Sequence, residues 1–395
     1  MVDYDPFAPE MIRGDPYPVY KALRDQSPAH YLERWDAWAV SRFEDVWSAC
    51  MDTETFSSAE GTTASHLLTK VQPVTPMVNM MDAPEHPKLR ALVKPFFGPR
   101  RVAKLGDEVR TFVRARLDAV ADQETFDVVA DLAQPMATFA ASLVSGFPTE
   151  DATLLRDLVD RFFARDPETE AMSEDGFAAM GDMFDYFARL SAAARKTGSE
   201  EDSVLSRLLA WDGADGKLDD QAIASHLSLF LVGGIDTLPK VFASTLLRLA
   251  QNPDQRARVA ADSSLALDAF HEALRIDMPT QFMCRKVMRP VEYHGQTMQP
   301  GQVLLLLYTA ANRDEREFPN PEVYDIERRP PRHLGFSHGA HACIGLHTAR
   351  MEARIGIEEI LSRFPEYTVL EDQIEHYRTE FVKGFSSMPI RKQTN

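Results

Sequence analysis

Phe336-Ser337-His338-Gly339-Ala340-His341-Ala342-Cys343-Ile344-Gly345 is the stretch whose reading decides the fold. It runs into Ile344 to Arg363, whose apolar spacing predicts a helix. A thiolate at a helix N-terminus is stabilised by the helix dipole and the free backbone N–H groups, which makes it a good metal ligand. Glycines on either side let the backbone approach a flat, bulky group. Most single cysteines are small buried hydrophobes. Chance assembly of this Phe, Gly, His, Cys and Gly spacing is, however, on the order of one in ten thousand for one chain. The loop therefore reads as a cradle for a metal cofactor. His338, His341, Cys343 and His347 could also offer nitrogen and sulfur to zinc or copper. A closed zinc site has no use for Phe336 and the two glycines.

Upstream of the loop, Asp219 and Asp220 are N-cap candidates for one long buried helix that stays helix-compatible to about Asn252, with Pro253 as its stop. Inside it lies Gly233-Gly234-Ile235-Asp236-Thr237-Leu238-Pro239. Two helical glycines cost about 1 kcal/mol each relative to Ala, which implies that something needs the space. Pro239 cannot donate to the Ile235 carbonyl and Thr237 can bond that of Gly233, so the ladder should open into a kinked groove. Close helix packing at the glycines is the competing explanation. Glu272 and Arg275 share a helix face at i, i+3. The same spacing occurs at Glu10 and Arg13 and at Glu375 and Arg378, so a solvated ion pair is the default for any one of them.

From Val102 to about Ala250 the pattern is helical, and after Met278 it changes to short strands at 287–294 and 302–307 with turns at Gly295 and Pro300-Gly301. Residues 313–334 are irregular and Pro-rich, and two short strands are expected within 368–390. The 395 residues lack a clean break, which favours one domain, 1–395, with helix-rich parts at about 85–278 and 344–363 and strand-rich parts at about 30–60, 279–310 and 368–390. Hydrophobic residues at 44% and charged residues at 26% fit an ordinary globular core. Lys and Arg total 43 against 60 Asp and Glu, and a net charge of -17 argues against nucleic acid or an anionic membrane as partner. Three cysteines without Cys-x-x-Cys spacing suit a reducing compartment. The apolar runs around 227–234 and 303–311 are short for a bilayer span, and Asp3, Asp5, Glu10 and Asp15 do not suit a secretory leader. A cytoplasmic location and no membrane association are expected.

The cysteine loop resembles the haem-binding loop of the cytochrome P-450 haem-thiolate enzymes, soluble bacterial type, and the resemblance extends over nearly the whole chain. It implies a mainly α fold with small β-sheets, the triangular, helix-rich P-450 body with its long central helix. It implies haem b (iron protoporphyrin IX), with Cys343 as axial ligand of the iron and Phe336, Gly345, Gly233 and Gly234 in the cradle. A thiolate ligand favours O–O cleavage. By the same resemblance His86 and Arg90 of Asp82 to Arg90, Arg285, and His341 take the haem propionates. Asp236 and Thr237 match the acid-alcohol pair beside the oxygen site, with a proton-delivery role. Leu238-Pro239 departs from most members and is similar to the camphor-hydroxylase branch. Glu272, Arg275 and Arg328, with the meander at 312–328, match a structural ion-pair cluster beneath the haem.

The activity implied is a monooxygenase inserting one oxygen atom from O2 into a C–H bond of a small hydrophobic substrate, terpenoid or aromatic. Electrons come from a ferredoxin and its NAD(P)H-dependent reductase, docked on Lys88, Lys94, Arg100, Arg101, His347, Arg350 and Arg354. A peroxide-driven peroxygenase and a non-catalytic haem sensor or carrier are the alternatives, and the acid-alcohol pair argues against both. Pocket walls are expected from 57–81, Val232, 281–283 with Phe282 and Met283, and 383–388 with Phe385. A monomer is expected.

Overall fold

The computed structural model describes residues 2–71, 75–166, 172–198, 202–213 and 216–393; positions 72–74 of the expected 57–81 wall lie outside them. The chain divides into two compact units, each assembled from separated stretches. The first takes Met1–Pro87, His271–Cys343 and Tyr377–Lys383, and the second takes Lys88–Phe270, Ile344–His376 and Gly384–Asn395.

The first unit is built on a five-stranded sheet. Ala37–Val40 pairs antiparallel with Ala29–Leu32 and parallel with Val303–Leu306, which pairs antiparallel with Met283–Val287, and Phe56–Ser57 closes the edge. All four residues of Val303–Leu306 are buried. A central strand covered on both faces reads as an unbroken apolar run rather than an alternation, which is why 302–307 is so plain in the sequence. The expected 287–294 strand is instead two pieces. Met283–Val287 ends before Pro290, which has no N–H for the ladder, and Val291–Tyr293 forms a hairpin with Gln296–Met298. His294 and Gly295 make that turn with φ of 52° and 74°, the left-handed geometry a two-residue hairpin needs.

The second unit is helical, with Gly106–Ala119, Gln134–Ser145, Ala152–Phe162, Glu174–Thr197, Asp220–Ile235, Thr237–Gln251 and Leu346–Arg363 as its main elements. A three-stranded sheet joins Tyr367–Val369, Pro389–Lys392 and Thr125–Asp127. The chain's last part holds four short strands where two were expected, since Glu375–Arg378 and Lys383–Ser387 form a further pair. Asp219 caps its helix as expected, its Oδ1 accepting from the Ala222 N–H at 2.8 Å. The expected single helix over 219–252 is broken at Asp236.

Two stretches, Val128–Ser145 and Asp220–Gln251, are long and apolar enough to cross a membrane by length and composition, more than the short apolar runs suggested. They are 67% and 72% buried inside the fold, the character of core helices.

His226, on Asp220–Ile235, is 1% exposed and neither ring nitrogen has a hydrogen-bond partner among the described residues. Burial lowers its pKa from 6.5 to about 4. Its folded pKa lies below its unfolded one, so stability is lost as pH falls from about 6.5 towards 4. Replacing it by Leu should remove about 2 kcal/mol of the destabilisation between pH 7 and pH 5. Urea midpoints at the two pH values test this, and an unchanged pH slope in His226→Leu contradicts it.

Candidate functional site

In the first unit the loop before Cys343 is closed on itself. The Cys343 N–H donates to the Phe336 carbonyl at 2.8 Å, Ser337 N–H to Leu334 at 2.9 Å and Ala342 N–H to Gly339 at 3.1 Å. Ser337 and Gly339 carry φ of 57° and 74°. At Gly339 a side chain is excluded twice, by that backbone and because a Cβ would lie 2.4 Å from the Cys50 carbonyl oxygen. The C-terminus of the Phe43–Met51 helix is thus the floor on which the loop turns.

Side chains lock the same contact. The buried Tyr308 hydroxyl lies 2.8 Å from Ser337 Oγ and 3.6 Å from Cys50 Sγ. His338 stacks on Trp47 at 3.6 Å between ring centroids, and His341 stacks on His86 at 4.2 Å. Two of the histidines that could have shared a zinc ion with Cys343, His338 and His341, are thus stacked on separate partners. Among the described residues there is no group of three or more potential ligands.

Glu272, Arg275 and Arg328 come together as one buried cluster. Arg275 is 0% exposed and makes a two-point contact with Glu272, Nε to Oε2 at 2.9 Å and Nη2 to Oε1 at 2.8 Å. Arg328 Nε reaches the same Oε1 at 2.9 Å, and the Asp325 N–H donates to it at 3.2 Å. Both guanidiniums also donate to backbone carbonyls of the 312–328 meander, at Asn312, Pro321, Asn320 and Val323. Asn312 passes the order on, since its Oδ1 accepts from the Leu334 N–H at 2.7 Å and Leu334 in turn accepts from Ser337. The cluster therefore holds the root of the cysteine loop. Asn312 showed only as the start of the meander, and Tyr308, Cys50 and Trp47 showed no role in the sequence, because each acts through a partner more than ten residues away.

Arg285 is 4% exposed. Among the described residues its guanidinium donates only to the neighbouring Cys284 carbonyl, and no carboxylate lies within 4.0 Å. A buried cation without a counter-charge is costly, so this site is made for an anionic group.

In the second unit, Val232, Gly233 and Gly234 form a face of the Asp220–Ile235 helix that is only partly covered. A Cβ on Gly233 would meet nothing within 4 Å. One on Gly234 would sit 2.9 Å from Ala141 Cβ, so close packing on the Gln134–Ser145 helix accounts for that glycine. Asp236 is 8% exposed. The expected bond from the Thr237 hydroxyl to the Gly233 carbonyl is not formed; the Lys240 ammonium instead donates to the Asp236 carbonyl at 2.9 Å. Arg90 lies on the Glu85–Val93 helix one turn after His86. Of the expected pocket residues, Met283 and Phe385 are partly exposed, whereas Phe282 is 1% exposed within the core of the first unit, where its ring fills space beside Cys284 and Val303.

Residues 40–391 match the family model for cytochrome P450. The chain belongs to the cytochrome P450 family. It is 34% identical over 387 residues to Cytochrome P450 130 of Mycobacterium tuberculosis, covering 95% of each chain. It is 30% identical to Cytochrome P450 monooxygenase PikC of Streptomyces venezuelae, covering 96% of this chain and 91% of that one. The structure of Cytochrome P450 CYP109Q5 from Chondromyces apiculatus superposes with a TM-score of 0.86 at 28% identity, covering 100% and 99%. The fold is that of the P450s, and the protein is a P450 monooxygenase with haem b as its cofactor. P450 enzymes use O2, a redox partner and hydrophobic substrates. The residues present fit the group: Cys343 offers an exposed thiol on a rigid loop, and Arg285 offers the unneutralised cation that a buried propionate requires.

Proposed function

We propose that this P450 inserts one oxygen atom of O2 into a C–H bond of a small hydrophobic substrate of the terpenoid or aromatic class, with electrons from a ferredoxin and its NAD(P)H-dependent reductase. The observation that carries the reading is the cysteine loop, fixed by the Glu272 cluster through Asn312 and braced by Tyr308. Thiolate-ligated haem supplies reductive O–O cleavage when bound. The protein's own residues do the rest. Cys343 would ligate the iron, and Arg285, His86, His341 and Arg90 would take the propionates, their charges and N–H groups replacing the water lost on burial. Phe336, Gly345 and Gly233 give the flat faces room. Asp236 carries protons to the oxygen side with Thr237 beside it, the task for which a buried carboxylate next to a hydroxyl is suited. Val232 and Phe385 of the second unit and Met283 of the first are apolar, adaptable side chains suited to contact a hydrophobic substrate.

The basic residues support ferredoxin as the donor. Lys94, Arg100 and Arg101 are exposed, and the elements that carry them pack against the Leu346–Arg363 helix, which carries His347, Arg350 and Arg354. In a chain of net charge -17 this concentrates positive potential where an acidic carrier can be steered.

Turnover of a ligand chosen by its low-spin to high-spin shift tests the reading. Product should require ferredoxin, reductase, NAD(P)H and O2 together. Efficient turnover with hydrogen peroxide and no dependence on ferredoxin would make the protein a peroxygenase. Normal reduction without oxidation of any binding ligand would make it a sensor or carrier.

A further inference from the structure

The helix break at Asp236 creates an ion pair that the account above leaves unused. Lys240 lies one turn on, its Nζ 2.5 Å from Asp236 Oδ1 and 2.9 Å from the Asp236 carbonyl oxygen. Both side chains are 7% exposed. An i, i+4 pair in water is worth a few tenths of a kcal/mol and opens freely. Out of water neither charge can leave without stranding the other, so the geometry is held.

The lysine stem is gripped as well. A Cβ on Gly384 would fall 2.6, 2.7 and 2.9 Å from the Cβ, Cγ and Cδ of Lys240, so only glycine at 384 leaves the stem its path. The other carboxylate oxygen, Asp236 Oδ2, is buried and has no hydrogen-bond partner among the described residues. A buried acceptor left open is costly unless something is to occupy it. On the neighbouring Ala152–Phe162 helix, Asp160 has a side chain 53% exposed and senses both members of the pair. Desolvation raises its pKa, Arg156 and Lys240 lower it, and Asp236 and Asp157 raise it.

We infer that Lys240 is a positioning residue for the proton-delivering acid: it pins Oδ1 and the carbonyl of Asp236, so that Oδ2 is the atom that takes up a proton and passes it on. Oδ2 passes the proton towards the oxygen side, and Lys240 itself neither gains nor loses one. This rests on the reading of Asp236 as proton carrier. It adds that carrier efficiency depends on a cation within the same helix.

The test uses the haem-loaded protein and the variants K240M, K240R, D236N and K240M/D236N. Isotope-edited infrared spectroscopy without turnover identifies the Asp236 carboxylate bands by their loss in D236N. K240M should shift those bands and K240R should restore them towards native. In turnover, K240M should be slowed roughly tenfold or more, with a larger solvent isotope effect and more reduced oxygen released per NAD(P)H, and K240R should recover most of the loss. Native-like bands and isotope effect in K240M, with D236N slowed, overturn the positioning role while leaving the carrier reading intact. A D236N protein with native turnover and isotope effect overturns the carrier reading instead, and the positioning role with it. If K240M does not fold, K240R decides: Asp236 bands and isotope effect that stay native together support the role, and displaced Asp236 bands with native turnover and isotope effect refute it.

Discussion

Glu272→Ala should leave no stably folded, haem-binding protein. The substitution removes the carboxylate shared by Arg275 and Arg328 and the acceptor of the Asp325 N–H, with Arg275 wholly inside the fold. Removing one partner of a buried pair costs about 3–5 kcal/mol because the other charge stays behind. That is a large part of the roughly 5–15 kcal/mol by which proteins are stable at all. The damage also reaches the functional loop, because Arg275 holds the Asn312 carbonyl and Asn312 holds Leu334. Glu10 and Glu375, which have the same spacing to an arginine, are exposed, and their replacement by Ala should change stability by no more than about 0.5 kcal/mol. Denaturant unfolding and soluble yield compare the three variants. A Glu272→Ala protein within about 1 kcal/mol of native would show that the cluster does not carry the loop.

Cys343→Ala should abolish the red-shifted Soret band of the reduced carbonyl complex, while Cys50→Ala and Cys284→Ala keep it. Of the three cysteines only Cys343 is exposed. Burial pushes the Cys50 and Cys284 thiols upward, most strongly at Cys284, so both stay protonated and poor ligands at neutral pH. Cys50 already has a task, as its carbonyl lies against Gly339 and its sulfur lies near Tyr308. The band surviving in Cys343→Ala would mean that another residue ligates the iron.

Legibility in the sequence followed the range of the interaction. The loop could be read because its chemistry sits within ten residues, and the Asp219 cap and the Gly295 turn because backbone geometry there depends on neighbours alone. Glu272 and Arg275 could be read as a pair, but their importance could not, since an identical spacing is solvated elsewhere and only burial separates the cases. A kinked, locally opened ladder was expected inside one long helix, and the structure instead ends one helix and starts another at Asp236. Thr237 was expected to bond the Gly233 carbonyl, whereas the bond formed is from Lys240 to the Asp236 carbonyl. Gly234 looked like cofactor space and packs on Ala141, a contact 93 positions away in the chain that no local pattern encodes. Phe282 was expected at the pocket and lies in a core cluster just before the Met283–Val287 strand, packed with residues far away in the chain that no local pattern reveals.

Iron K-edge X-ray absorption of the haem-loaded protein tests the central claim most directly. With Cys343 as axial ligand, the native protein has one sulfur atom in the first coordination shell of the iron, and Cys343→Ala has none. A native first shell of nitrogen and oxygen alone, or a sulfur that persists in Cys343→Ala, would contradict the account.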